Sequence, residues 1–167
     1  NKHNLGLTKS LNKIANISVG YYLARQDGDD ISLPHRFKTQ IEKFKNSNKI
    51  DIVTCRAYVK NTNKVTPKLR NKINHKLLIN FLNPFIHGTL MIKRDSFYNL
   101  NGYNENFVYP QDYKLFHDAI KNGMKINTIK EPMYILNLEN NISSNKKKEQ
   151  KYYSDCVRNN LTPKVKF

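Results

Sequence analysis

Tyr21-Tyr22-Leu23-Ala24-Arg25-Gln26-Asp27-Gly28-Asp29-Asp30 is the stretch on which the fold turns. Its aromatic and aliphatic opening reads as a buried strand. It ends in three carboxylates within four positions, with Gly28 there for a sharp turn of the backbone. In an open α/β sheet, ligands bind beyond the carboxyl ends of strands. Carboxylates crowded at that place repel one another, and a hard cation such as Mg²⁺ or Mn²⁺ would relieve the repulsion. An ordinary polar turn reads the same way. An EF-hand loop does not fit, because Ile31 stands where a third oxygen ligand belongs and no Glu closes the loop. A haloacid-dehalogenase phosphatase would place an apolar run directly before the first Asp, where Arg25 and Gln26 intervene.

Outward from this stretch, helical and extended patterns alternate. Leu7, Leu11 and Ile14 recur at helical spacing. Pro34 opens a second helix with Phe37, Ile41 and Phe44 as its expected buried stripe. A strand is expected over 51–58, a turn and short strand after it, and a helix from about 66 to 81. A strand over 89–93 and a short helix over 96–100 follow, the latter capped by Asn101-Gly102. Asp112 starts a helix carrying Leu115, Phe116, Ala119 and Ile120. Two strands over 125–129 and 133–138 precede a Lys-rich tail with a helix near 148–158. This alternation argues for an α/β domain with a largely parallel sheet and an antiparallel edge from the late strands.

The length of 167 residues suits one domain with a real core. Net charge is +16, from 29 Lys and Arg against 13 Asp and Glu. Such a balance raises anionic partners. The lysines are spread along an Asn-rich chain, however, a pattern that compositional bias produces without nucleic acid. An anionic membrane surface or an acidic polymer is the better candidate. Lys146-Lys147-Lys148 reads first as a solvated face. Cys55 and Cys156 match no zinc or redox spacing, so reduced thiols and a cytoplasmic setting are expected, at the inner face of the membrane if the chain touches one.

Several segments together resemble glycosyltransferase family 2, an enzyme family of GT-A fold. They are Asn4-Leu5-Gly6-Leu7 with Ser10-Leu11-Asn12, the 24–30 stretch, and Leu33-Pro34-His35-Arg36-Phe37 with Gln40. His87-Gly88-Thr89, Ile92-Lys93-Arg94, Leu100-Asn101-Gly102-Tyr103-Asn104-Glu105 and Gln111-Asp112-Tyr113-Lys114-Leu115 continue the series in order. Gln111 stands where the family has Glu, and Asn101 where it has Gly. The resemblance implies a Rossmann-like nucleotide-diphospho-sugar transferase sheet flanked by helices. It also implies that the family's first strands, which hold the nucleobase, are missing, since each βαβ unit needs about 30 residues. Residues 1–139 would be a partial GT-A domain and 140–167 a basic polar tail.

By the same resemblance the chain is a metal-dependent inverting glycosyltransferase for glycan or cell-surface polysaccharide synthesis. Its acidic stretch corresponds to the family's DxD motif. Asp29 would ligate Mn²⁺ or Mg²⁺, and Asp27 would face the ribose or diphosphate of the nucleotide-sugar donor. His87 would touch the diphosphate or the metal, or pack structurally. Asp112 would be the general base. Asp30 would orient the loop or cap the following helix, and Arg36 and Arg94 would pair with carboxylates. The acceptor would be a glycan or lipid-linked hydroxyl, with a partner chain supplying the missing strands. The competing expectation is a non-catalytic remnant acting as a basic interaction module.

Overall fold

The computed structural model describes residues 3–68, 74–139 and 146–164. These residues form six α-helices, one 3-10 turn at His87–Thr89 and six strands. The helices are α1 (Leu7–Ile17), α2 (Arg36–Asn46), α3 (His75–Leu78), α4 (Arg94–Asn99), α5 (Gln111–Lys121) and α6 (Lys147–Arg158). The strands are β1 (Tyr22–Ala24), β2 (Ile31–Ser32), β3 (Ile52–Val59), β4 (Val65–Thr66), β5 (Met91–Lys93) and β6 (Ile126–Leu136). The sheet order is β1-β5-β3-β6-β2, with β4 on β3.

β3 is the axis of the sheet. Its residues 52–55 are buried on both faces, as expected for a strand covered by helices on either side. Alternate side chains enter different cores. Ile52 joins Ile92, Phe97, Leu115, Phe116 and Val157 in one layer, while Val53, Cys55 and Ala57 join Phe44, Met91, Met133 and Tyr134 in the other. Burial pushes the Cys55 thiol up to about 11, so it packs as a neutral apolar group.

The expected α/β class holds, but the sheet is not largely parallel. Among the described residues only β3 and β6 run parallel, and β1–β5, β3–β5, β3–β4 and β2–β6 are antiparallel. β1 is an outer strand rather than a central one. Its free edge adjoins exposed apolar side chains, including Val19 and Tyr21, the latter 91% exposed. The late strands are a single strand, β6, whose irregular register against β3 breaks at Cys55/Arg56 and Arg56/Tyr58. The helix expected over 66–81 is replaced by β4 and by α3, one turn long; 69–73 lie outside the described residues.

α2 buries a different face from the one its apolar residues suggest. Arg36, Gln40 and Phe44 are inward, and Phe37 is exposed. The buried polar groups earn this position by hydrogen bonding. Gln40 Nε2 donates to Val53 O at 3.1 Å and Thr89 O at 2.8 Å. Arg36 Nη2 donates to Arg25 O at 2.7 Å and Nη1 to Ser32 Oγ at 2.7 Å. The expected carboxylate partners are absent among the described residues. Arg36 lies over the Tyr134 ring at 4.9 Å, and Arg94 over Tyr98 at 5.7 Å.

Candidate active site

The acidic loop is held by its backbone and turned toward a cleft of about 930 Å³. Arg25 N donates to Leu90 O at 2.8 Å, the last rung after β1. Asp30 N donates to Asp27 O at 3.3 Å and closes the turn. Gln26 Nε2 donates to Asp27 O and Asp30 O at 2.8 and 3.0 Å, and its Oε1 accepts from Ser32 Oγ at 2.5 Å. Gly28 does not occupy the left-handed region, and a side chain there would meet nothing within 4 Å. The sharp turn therefore needs no glycine; what Gly28 leaves is open space at the cleft.

Tyr134 is the hub beneath the loop. Its hydroxyl accepts from Asp27 N at 3.2 Å and from Gln26 Nε2 at 3.3 Å, while its ring carries Arg36. Burial holds the phenol well above its usual range, so it stays protonated. Gly88 makes room for it: a Cβ at that position would sit 2.4 Å from Tyr134 Oη.

The three carboxylates diverge. Asp30 turns back and accepts from Asn137 N at 2.6 Å, tying the loop to the end of β6. Asp27 accepts from Arg25 Nε at 2.6 Å and pairs with Nη2 at 2.5 Å. Asp29 is exposed on the cleft and has no hydrogen bond or ion pair among the described residues. Those residues contain no group of three or more His, Cys, Asp or Glu placed to hold a metal ion. Mg²⁺-type sites of transferases use one or two carboxylates together with substrate phosphates. Asp29, with Asp27 beside it, fits that donor chemistry rather than an all-protein cage.

Asp112 lines the same cleft from the first turn of α5, where the helix N-terminus favours negative charge. Its Oδ2 accepts from Asn83 Nδ2 at 2.8 Å. Burial nevertheless holds its carboxyl above the usual carboxylate range, against the lowering effect of the Tyr113 N–H and Asn83. Asp27 adds a smaller push in the same direction. A carboxylate whose proton affinity is raised while one donor fixes its orientation is equipped to take a proton.

His87 lines the cleft between these groups. Its Nε2 lies 2.7 Å from Tyr103 Oη and its ring meets Tyr103 edge-on at 5.5 Å. Burial, with Arg25 beside it, pushes its pKa down to about 3, so it is a neutral hydrogen-bonding group there. The structure thus gathers Asp27, Asp29, His87 and Asp112 around one cleft. It adds Arg25 and Asn83 on the same cleft, with Tyr103 against His87 and Tyr134 beneath the acidic loop; sequence reading gave none of the four a role. Arg25 had a signal, two residues before Asp27 at the strand end; Asn83 and Tyr134 are brought in only by the fold.

A model of glycosyl transferase family 2 matches residues 1–117. An uncharacterized glycosyltransferase of Methanocaldococcus jannaschii is 32% identical over 162 residues, covering 92% of this chain and 55% of that protein. The chain thus spans about half the length of that curated relative. Among solved structures, Staphylococcus aureus TarS residues 1–349 with UDP-GlcNAc superposes with a TM-score of 0.65 at 15% identity, covering 81% of this chain and 40% of that one. A mannosyltransferase from Pyrobaculum calidifontis with GDP-Man and Mn²⁺ gives 0.65 at 12% identity, covering 96% and 46%. The shared fold is that of GT-A glycosyltransferases.

Proposed function

This chain belongs to glycosyl transferase family 2, and on that premise we propose that it carries the acceptor-side machinery of an inverting transferase. The reaction moves a sugar from a nucleotide-diphosphate donor to an acceptor hydroxyl, in glycan or polysaccharide synthesis. The observation that carries the reading is that Asp29 and Asp112 line one and the same cleft.

Asp29, joined by Asp27, would hold Mn²⁺ or Mg²⁺, whose role when bound is to neutralise charge on the departing diphosphate. Arg25, already in the cleft beside Asp27, adds fixed positive charge on the same side. Asn83 aims the Asp112 carboxylate, which takes the acceptor proton as the hydroxyl oxygen attacks the anomeric carbon. The carbon–oxygen bond to the diphosphate breaks on the opposite face, and one displacement inverts the configuration. His87, held neutral against Tyr103, offers a hydrogen bond without adding charge. That the donor is a nucleotide sugar is supported by the bound UDP-GlcNAc and GDP-Man of the two structural neighbours. We further propose that the exposed edge of β1 receives the strands that hold the nucleobase, and that the protein works in the cytoplasm, with its lysines toward an anionic membrane face. No helix among the described residues is long and apolar enough to cross a membrane.

The experiment is a nucleotide-release assay on a version of the chain carrying nucleobase-binding strands, with UDP-GlcNAc and GDP-Man each supplied with Mn²⁺. Release that requires Mn²⁺ and is lost in Asp29→Ala supports the reading. Release indifferent to both Mn²⁺ and Asp29 would remove the metal-dependent mechanism, and no release with either donor under any divalent ion would favour a basic interaction module.

A further inference from the structure

We propose that the inner face of α6, with the loop it pins, is the wall that binds the acceptor, and that it selects a neutral, hydroxyl-rich carbohydrate; this rests on reading the cleft as a glycosyl-transfer site. Gln150, Ser154 and Arg158 recur at a spacing of four and so share one helix face. All three line the cleft that holds Asp112. The helix lies beyond the 117 residues matched by the family model, so membership of the family assigns it no role.

The other face of α6 is anchored. Tyr153, Cys156 and Val157 are buried, and the Tyr153 ring lies 6.2 Å from Phe107 and 6.4 Å from Tyr109. From this fixed position Arg158 Nη1 donates to Phe81 O at 3.0 Å. The same loop is held at two more alternate residues. Tyr113 Oη donates to Ile79 O at 2.7 Å, and Asn83 Nδ2 donates to Asp112 at 2.8 Å. Tyr113 of α5 and Arg158 of α6 thus fix the loop backbone at residues 79 and 81, and Asp112 holds the side chain of Asn83 that follows.

With its backbone so held, the loop still leaves Phe81 68% and Leu82 47% exposed at the cleft. Bare apolar side chains beside an amide, a hydroxyl and a guanidinium are the mixture a pyranose ring needs. Its C–H faces pack on apolar surface and its hydroxyls exchange hydrogen bonds with polar neighbours. Arg158 also donates to Asp155 through Nη2, so its charge is already balanced. This argues for a neutral sugar over an anionic one. A ring seated on Phe81 and held by Gln150 and Ser154 would sit beside Asn83, within the reach of the base.

The test uses the ¹⁵N-labelled chain of 167 residues. It is titrated with methyl β-glucopyranoside, methyl N-acetyl-β-glucosaminide and methyl α-mannopyranoside, and with methyl β-glucuronide as the charged comparison. A neutral glycoside should shift the amide signals of residues 81, 82, 150 and 154. Ser154→Ala and Gln150→Ala should each weaken that binding by roughly fivefold, the loss expected for one hydrogen bond. Shifts confined to residues 27–30, preference for the glucuronide, no weakening in either variant, or no shifts at the solubility limit would overturn the proposal. A parallel titration with Mg²⁺ and UDP or GDP, on the version of the chain carrying nucleobase-binding strands, separates it from the broader reading. Nucleotide shifts at 27–30 without glycoside shifts at α6 sink this inference alone, and glycoside shifts without nucleotide shifts count against the transferase reading alone.

Discussion

Replacing Asp112 by Asn should stabilise the fold while removing catalysis. Burial holds the Asp112 carboxyl above its usual range, so the folded chain binds this proton more tightly than the unfolded one. The sign follows from linkage: stability contributed by the protonated form is complete below the ordinary carboxylate pKa and is lost as pH rises toward the higher folded value. Above that folded value the wild-type protein carries a buried negative charge that Asn does not. The amide keeps the size of the side chain, and its Oδ1 can still accept from Asn83, whose donor sits 2.8 Å away. Removing a cost of this kind at a functional position typically gains about 0.5–2 kcal/mol. For a chain of this length that is a rise in Tm of roughly 1–8 °C. Thermal melts of both proteins from pH 3 to 8 should show the difference growing through the carboxylate range and vanishing near pH 3. In an active form of the enzyme, kcat should fall by about 10²–10⁴-fold, the usual contribution of a general base. A lower Tm for Asp112→Asn at pH 7, or near-full turnover, would refute the reasoning.

Tyr134→Phe removes the hydroxyl that accepts from Asp27 N and Gln26 Nε2. It should cost about 1–2 kcal/mol and quicken amide hydrogen exchange at residues 26–30 beyond the global change. Gly88→Ala forces a methyl to within 2.4 Å of Tyr134 Oη and should destabilise by about 1–3 kcal/mol in denaturant melts. Gly28→Ala meets open space with no left-handed backbone and should change stability by no more than about 0.5 kcal/mol; the contrast between the two glycines checks the account of the loop. Asn83→Leu removes the donor to Asp112 and should move the acidic limb of the pH–rate profile upward, because the charged carboxylate loses a stabilising bond.

Much of the fold was legible because its helices bury apolar stripes: Leu115, Phe116 and Ala119 on α5 are inward as their spacing requires. α2 misled for a physical reason. Its buried face is led by Arg36 and Gln40, whose hydrogen bonds to the backbone of neighbouring strands outweigh the apolar pull of Phe37. β1 looked central because it is rich in aromatic and aliphatic residues, yet Tyr21 is exposed and the strand is outermost among those described. Strand direction was not legible at all, since period-two burial is the same for parallel and antiparallel neighbours. At the site, Asp27, Asp29, His87 and Asp112 stood out by chemistry and motif. Asn83 and Tyr134 did not, because their contacts span 29 and 107 residues of sequence, and nothing local marks them.

Asp29 and Asp112 line one cleft, which by the proposed function takes a metal-bound diphosphate. Paramagnetic broadening by Mn²⁺ in the presence of UDP or GDP tests it most directly, since it registers even weak occupancy of a site. Broadening is expected for the amides of residues 27–30 together with those of 83 and 112, which line the same cleft, and Asp29→Ala should abolish it. Broadening centred elsewhere on the chain, or unchanged in Asp29→Ala, would contradict it.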